Sequence, residues 1–261
     1  MASLKTASPP AVDRALTILE ELARSNRGLR LPELARKLKL PKSSAHSVLL
    51  ALERRGYLQR HENGRYFFGS KIFTLANFAL GGMTIREAAH PNLVALMRRT
   101  GRMVHMAILD RSQAVLIEQI SPPEIVAPMT WLGKRLELHC TALGKVLAAY
   151  LPEGEWDRLI KEHSLSRHND NTICTPRAFR RELALTRERG YATDNEEVDL
   201  GVRCLSVPVF GPEGDAVAAI AISGSTTEIH EGNAESLVAL MIAAAKNIST
   251  ELRGKASAEA G

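Results

Sequence analysis

Residues 31–68 read LPELARKLKLPKSSAHSVLLALERRGYLQRHENGRYFF, and this stretch limits what the chain can fold into. It predicts a short helix over residues 31–38, a turn at Leu40-Pro41, a second helix over residues 42–55 and a hairpin, with little slack between them. Leu31, Leu34, Ala35 and Leu38 give the first helix a buried side. Pro41 cannot extend that helix and holds its predecessor out of the α region. In the second helix Ala45, Val48, Leu49 and Leu52 follow the spacing i, i+3, i+4, i+7 of a core-facing stripe. The opposite side carries Ser43, Ser47, Leu50 and Arg54, with Ser44 and His46 on its flanks. Small hydroxyl side chains at a helix start permit close approach to a major groove, and the unpaired N–H groups there favour phosphate.

Behind Gly56, residues 57–60 and 65–68 are strand candidates joined by His61-Glu62-Asn63-Gly64, an Asn-Gly hairpin signal. This order is that of a winged helix-turn-helix, and its candidate DNA contacts are Lys42, Ser43, Ser44, His46, Ser47, Arg54, Arg60 and Arg65. The same helical outline also serves as plain packing in all-α proteins. The basic hairpin and the charge distribution favour DNA: residues 1–82 hold 14 Lys+Arg and 6 Asp+Glu, whereas residues 83–261 hold 20 and 23. The positive excess of the whole chain therefore sits on the candidate DNA module, as phosphate binding requires.

Ahead of this module a helix is predicted over residues 11–24, with Val12, Ala15, Leu16, Leu19 and Ala23 as its buried stripe and Gly28 as its left-handed cap. After it, SKIFTLANFALGG predicts a linker helix. Ile72, Leu75, Ala76 and Ala79 form one stripe and Phe73 and Leu80 a second patch, too apolar to stand alone in water, so a partner chain is expected to cover it. Gly81-Gly82 marks a boundary. Thr84 with Glu87 gives a capping-box pattern for a helix that ends at Gly101.

From Met103 the pattern changes. Residues 103–109, 114–120, 125–131, 204–210 and 216–223 are strand candidates. Helices are expected over residues 142–150, 155–161, 176–189 and 234–252, and a loop over residues 192–202. Such a mixture predicts an α+β domain with a mainly antiparallel sheet. No apolar run reaches 18 residues and the N-terminal stretch lacks an apolar leader core, so a cytoplasmic protein without a membrane segment is expected. The three cysteines, Cys140, Cys174 and Cys204, are spread out and predict no disulfide framework.

Three segments of this second half carry chemistry. His139-Cys140-Thr141-Ala142-Leu143-Gly144-Lys145 opens a helix whose free N–H groups suit a carboxylate, with Lys145 expected to face solvent. The acidic run from Asp194 leads to Cys204 and puts both near one rim. Ser223-Gly224-Ser225 ends the last strand. Each is equally an ordinary helix start, surface loop and strand end. Two other classes of function stay open on the residues alone. One is an enzyme with Cys204 as nucleophile and His139 as base, or a zinc site from His139, Cys140, Cys204 and Asp194, although adjacent His139 and Cys140 lack metal-ligand spacing. The other is a DNA-binding protein that needs no ligand.

Over residues 10–252 the chain resembles the isocitrate-lyase-regulator (IclR) type of bacterial transcription factor. The resemblance rests on LPELARKLKLPKSSAHSVLLALERRGYL, RYFFGSKIFTLA, GKRLELHCTALGKVLAA, YATDNEEVDLGVRCLSVPVF and AAIAISG, in that order. It implies a winged helix-turn-helix over residues 1–69, a linker helix over 70–83, a GAF-like effector-binding domain over 84–254 and a flexible tail over 255–261. It further implies a non-enzymatic regulator that binds operator DNA and a small organic acid or aromatic compound, works as a homodimer or tetramer on a catabolic operon, and needs no cofactor or metal. Carried over by position, the effector would meet Ala142, Leu143, Asp194, Cys204, Ala221 and Ser223, with Met129, Trp131 and Leu132 as an apolar wall. Ala221 stands where a serine can occur, and Leu143 is bulkier than the small residue of some relatives, which points to a larger or more apolar effector than a two- or three-carbon acid. Ser47 replaces a basic residue of the reading helix, so Lys42, Arg54, Arg60 and Arg65 are expected to hold phosphates instead.

Overall fold

A computed structural model of the chain describes residues 9–81, 83–124, 130–162 and 164–259, which divide into two units, Met1–Gly82 and Met83–Gly261. The first unit runs α1 (Pro10–Ala23), β1 (Leu29–Arg30), α2 (Leu31–Lys37), α3 (Lys42–Arg54), β2 (Leu58–Arg60), β3 (Arg65–Phe68) and α4 (Lys71–Gly81). The periodic stripe of α3 is buried as expected: Ala45 and Leu49 are sealed and Val48 and Leu52 pack beside them. They meet Ile18, Leu22, Leu34, Leu58 and Tyr66 in one core. Burying each such side chain contributes about 1.5–3 kcal/mol.

The stripe expected in α1 is rotated. Ile18 and Leu22 are the buried residues, while Val12, Leu16 and Ala23 lie exposed. Two overlapping apolar stripes run along this helix, and the core takes the one that meets Leu34 and Leu49. A further strand escaped the sequence: β1 pairs antiparallel with β3, so the wing sheet has three strands in the order β1-β3-β2. Gly28 leads directly into β1 and is not a helix cap, since α1 already ends at Arg24 in right-handed geometry. At φ 62° a Cβ on Gly28 would lie 2.7 Å from the Tyr66 carbonyl oxygen and the Phe67 ring. α4 buries nothing within its own unit, and Phe73 and Phe78 are 73% and 75% exposed.

The second unit runs α5 (Thr84–Thr100), β4 (Met103–Asp110), β5 (Gln113–Ile120), β6 (Arg135–Leu136), α6 (Ala142–Ala149), α7 (Glu153–Glu162), α8 (Pro176–Arg189), β7 (Ala192–Asn195), β8 (Val202–Phe210), β9 (Ala216–Ser225) and α9 (Glu231–Glu259). Its six-stranded sheet is antiparallel throughout, in the order β6-β5-β4-β9-β8-β7. Strand alternation divides the apolar residues between two faces. Val104, Met106, Val207, Ile220 and Ile222 pack with α5 and α9. Ala107, Leu116, Ala219 and Ala221 pack with α6, α7 and α8.

Several details differ from the sequence reading. Residues 192–195, expected in a loop, form β7, with Asp194 directly opposite Cys204 on β8. Thr84 is the first helical residue of α5 and the extended Met83 its N-cap, without a capping hydrogen bond, so Thr84 lies one position past the cap. The strand expected over residues 125–131 falls largely on 125–129, outside the described residues, while Thr130 and Trp131 are not in a strand. The helix expected to stop near Leu252 continues to Glu259. Among the described residues no helix is long and apolar enough to cross a membrane.

One glycine sets the position of α6. A Cβ on Gly144 would lie 2.6 Å from the Glu137 carbonyl oxygen and 2.6 Å from the Leu138 Cα. The helix start therefore rests directly on the preceding backbone, and every residue of α6 is buried.

Candidate functional site

On the first unit, Lys42, Ser43, His46, Ser47 and Arg54 of α3 are exposed, and Ser44 is half-buried. The helix starts after Pro41 with no side-chain cap, and its first backbone bond runs from the Ala45 N–H to the Pro41 carbonyl, 3.0 Å. The amides of Lys42, Ser43 and Ser44 precede that bond and stay available to an anion. Ser47 donates to the Ser43 carbonyl at 3.1 Å, which holds its hydroxyl close to the helix. On the wing Arg60 is exposed, its guanidinium 5.8 Å from the Tyr66 ring. Arg30, which sequence reasoning passed over, lines a concavity together with His46, Arg60 and Asn63. Arg65 departs from its expected place on the free face. Its Nη1 donates to the Gly28 carbonyl at 2.8 Å and to Glu33 at 3.3 Å, so its charge ties β3 to the chain around α2.

On the second unit a cavity of about 280 Å³ opens on the α6 face of the sheet. The expected residues Ala142, Leu143, Asp194, Cys204, Ala221 and Ser223 all line it. Trp131 does not: it is 63% exposed and stacks under the Lys134 ammonium at 5.0 Å, so it supplies no cavity wall. Leu132 is also exposed. Met129 lies outside the described residues.

The chemistry of the cavity follows from how its walls are built. At the start of α6 the Thr141 hydroxyl accepts from the Gly144 N–H at 3.1 Å and donates to the Glu137 carbonyl at 2.6 Å. The first intrahelical bond runs from the Lys145 N–H to the Thr141 carbonyl, which leaves the Ala142 and Leu143 amides at the cavity wall ahead of it. On β7, beside α6, Asp194 accepts from the Glu197 N–H at 2.9 Å. Burial raises its carboxyl to about 6; the Glu197 N–H opposes this and the Glu197 charge adds to it. Cys204 lies 3.1 Å from the Ser223 hydroxyl, and burial pushes its thiol up to about 12.

Lys145, expected in solvent, is 1% exposed. Its ammonium pairs with Glu197 and donates to the Thr193 carbonyl at 2.8 Å. A lysine in α6 has no solvent face to use, because all of α6 is enclosed, and the only stable outcome is a buried pair. The segment carrying Glu197 is braced from outside the cavity. Asn169 donates to the Glu196 carbonyl at 2.9 Å, and the Thr172 hydroxyl donates to the Glu197 carbonyl at 2.7 Å.

Sequence reasoning missed five polar lining residues: Arg102, His105, Thr130, Lys134 and Glu228. His105 sits on β4 directly opposite Ala221 on β9. Burial first, and the Lys134 charge second, push its imidazole down to about 4, so it is neutral at physiological pH. The signal was present in the strand pattern, where a histidine occupies a position that alternates with Val104 and Met106 and so shares the other face of the sheet.

The residues weighed for zinc or cysteine chemistry do not assemble. Among the described residues the His, Cys, Asp and Glu ligand atoms gathered within 4.8 Å of one another are those of Glu137, His139 and Cys140, without Cys204 or Asp194. His139 Nε2 is paired with the Ser166 carbonyl at 2.9 Å, and Glu137 is paired with His168. Burial raises the thiols of Cys140 and Cys204 alike, so neither is a thiolate at neutral pH.

Comparison with known proteins agrees with this geometry. The family model described as the IclR helix-turn-helix domain matches residues 11–62, and that described as the bacterial transcriptional regulator IclR C-terminal domain matches residues 77–250. The HTH-type transcriptional regulator XynR of Escherichia coli is 37% identical over 222 residues, 85% of this chain and 88% of its own length. The transcriptional repressor IclR of the same organism is 31% identical over 252 residues, 95% and 92% of the two chains. The crystal structure of Thermotoga maritima IclR superposes with a TM-score of 0.76 at 33% identity, covering 93% of this chain and 98% of that one. These relatives are named as regulators of transcription and not as enzymes, which removes the catalytic alternative. With both halves matched in order and relatives spanning both units, the chain belongs to the IclR family of bacterial transcriptional regulators.

Proposed function

We propose that this regulator controls a catabolic operon in response to a small organic acid that carries an apolar or aromatic body. The observation that carries the reading is the cavity: it is lined by Ala142 and Leu143 with their free amides and by Leu116, Leu136, Val198 and Ala221 as apolar wall. A carboxylate suits a helix start, while the wall suits carbon. At about 280 Å³ the cavity is close to the lower end of the range of small-molecule sites, and a two-carbon acid would leave much of it unfilled.

In this reading residues 1–69 address DNA, residues 70–83 link, and residues 84–254 form a GAF-like effector domain. Lys42, Arg54 and Arg60 hold phosphates, and Ser43, Ser44, His46 and Ser47 face the bases. Arg65 supports the wing from within. The chain acts as a homodimer or tetramer, because Phe73 and Phe78 of α4 and Val12 and Leu16 of α1 leave apolar side chains uncovered. The cytoplasm is its place of action, where operator DNA lies. Effector binding shifts DNA affinity through a coupling of about 1–3 kcal/mol.

The test pairs a thermal-shift screen of organic acids with DNA mobility shifts on the full chain. A saturable rise in melting temperature and an altered DNA affinity with the same compound are expected. Stabilisation without any change in DNA binding at saturating compound would sink the regulatory coupling.

A further inference from the structure

Among the described residues, eight buried side-chain nitrogen or oxygen atoms have no hydrogen-bond partner. Three of them line the same cavity: His105 Nδ1, Arg102 Nε and Thr130 Oγ1. A buried polar atom without a partner destabilises a fold, and one that lines a cavity is open to a hydrogen bond from whatever occupies that cavity. Arg102 is partly engaged, since its Nη1 pairs with Glu228 at 3.2 Å. His105 is not: it is buried, and no hydrogen bond satisfies its Nδ1.

Its place in the sheet decides what it can meet. His105 lies on β4 opposite Ala221, and both residues line the cavity. Two residues along the same pair of strands, Met103 stands opposite Ser223, and Ser223 stands opposite Cys204. The face thus carries one polar cluster at Cys204 and Ser223 and a separate polar atom at His105. Kept neutral, an imidazole neither attracts nor repels a carboxylate strongly; it accepts one hydrogen bond and donates one. That is a reader of hydroxyl groups.

We propose that His105 is a specificity-determining residue that hydrogen-bonds a hydroxyl on the body of the effector, selecting hydroxylated acids over their unsubstituted parents. This rests on the reading of the cavity as an acid pocket and adds a polar contact to the body of the ligand. A site that leaves a buried donor or acceptor unpaired rejects the analogue lacking the matching group far more strongly than an apolar pocket rejects a missing methylene.

The experiment is isothermal titration on the full chain with two matched pairs of probes: benzoate against 3-hydroxybenzoate, and hexanoate against 6-hydroxyhexanoate. In at least one pair the hydroxylated member is expected to bind about ten- to a hundredfold more tightly. His105→Leu should bring that ratio to within about twofold, by weakening the hydroxylated member and sparing or strengthening its parent. His105→Asn, which places an amide near the position of Nδ1, should recover part of the preference. A ratio near one in the native protein, or a preference that survives His105→Leu, overturns the assignment while leaving the acid pocket intact. Failure of all four probes to bind at millimolar concentration overturns the acid pocket and this proposal together. Should His105→Leu lose its cooperative melting transition, the native ratio and His105→Asn still decide.

Discussion

The first turns of α3 and α6 pose the same physical problem and solve it in opposite surroundings. Each is a helix start with amides free for an anion. α3 begins without a side-chain cap and keeps its polar side exposed, so the charges of Lys42 and Arg54 sit in water. α6 is capped by Thr141 and enclosed on all sides, so its lysine is forced into a buried pair with Glu197. The difference teaches that charge at the DNA face is cheap to hold and easily screened, whereas charge at the cavity is held by geometry and costs stability when a partner is lost.

The largest test of this contrast exchanges a lysine for methionine in each place. Lys145→Met leaves Glu197 buried and unpaired and is expected to cost about 3–5 kcal/mol in urea denaturation. Lys42→Met should change stability by less than about 0.5 kcal/mol and weaken DNA binding instead. Equal losses of stability would erase the distinction.

Next in size is a pH effect confined to the cavity. The Asp194 carboxyl titrates near 6 in the folded chain against an ordinary 3.8. Between those values the folded state keeps a proton that the unfolded state has released, so stability falls as pH rises from about 4 to about 6 and then levels. The shift corresponds to roughly 3 kcal/mol, and Glu197, also raised by burial, acts in the same direction. Asp194→Asn should flatten the difference between stabilities measured at pH 4 and pH 7. An unchanged profile would mean that Asp194 is better solvated than its burial implies.

Gly144→Ala follows, because its methyl would press on the Glu137 and Leu138 backbone; a loss of about 1–3 kcal/mol is expected in thermal unfolding. The smallest effects separate two arginines of the DNA module. Arg54→Ala should reduce the slope of log affinity against log salt on a random-sequence duplex by about 0.9, with little change in stability. Arg65→Ala should leave the slope intact and cost about 1 kcal/mol of stability, through the lost bonds to Gly28 and Glu33. A flattened slope for Arg65→Ala would return it to the phosphate set.

What was legible in the sequence depended on whether local pattern or long-range pairing set the outcome. The stripe of α3, the Asn-Gly turn of the wing and the hairpin of β4 and β5 are local and could be read directly. The hairpin turn is even tighter than its sequence suggests, with Arg111 and Ser112 both at positive φ. The register of α1 could not be read, because it carries two apolar stripes and only tertiary contact chooses between them. β7 was missed because ATDN has little strand character alone and is recruited by pairing with β8. In the cavity, the six residues carried over by resemblance came together, yet Lys145 and His105 did not announce themselves. A lysine's burial and a histidine's missing partner are properties of what surrounds them, and no spacing rule encodes that.

The braces from Asn169 and Thr172 onto residues 196–197 have a kinetic consequence. They hold the segment between Asp194 and Val198, which both line the cavity, so a compound bound there would have little loop ordering to complete. An effector that bound in this cavity would be met at a rate set by diffusion and access, and its residence would be set by how quickly it leaves. A regulator working that way would follow falling effector levels at the rate of escape from its pocket.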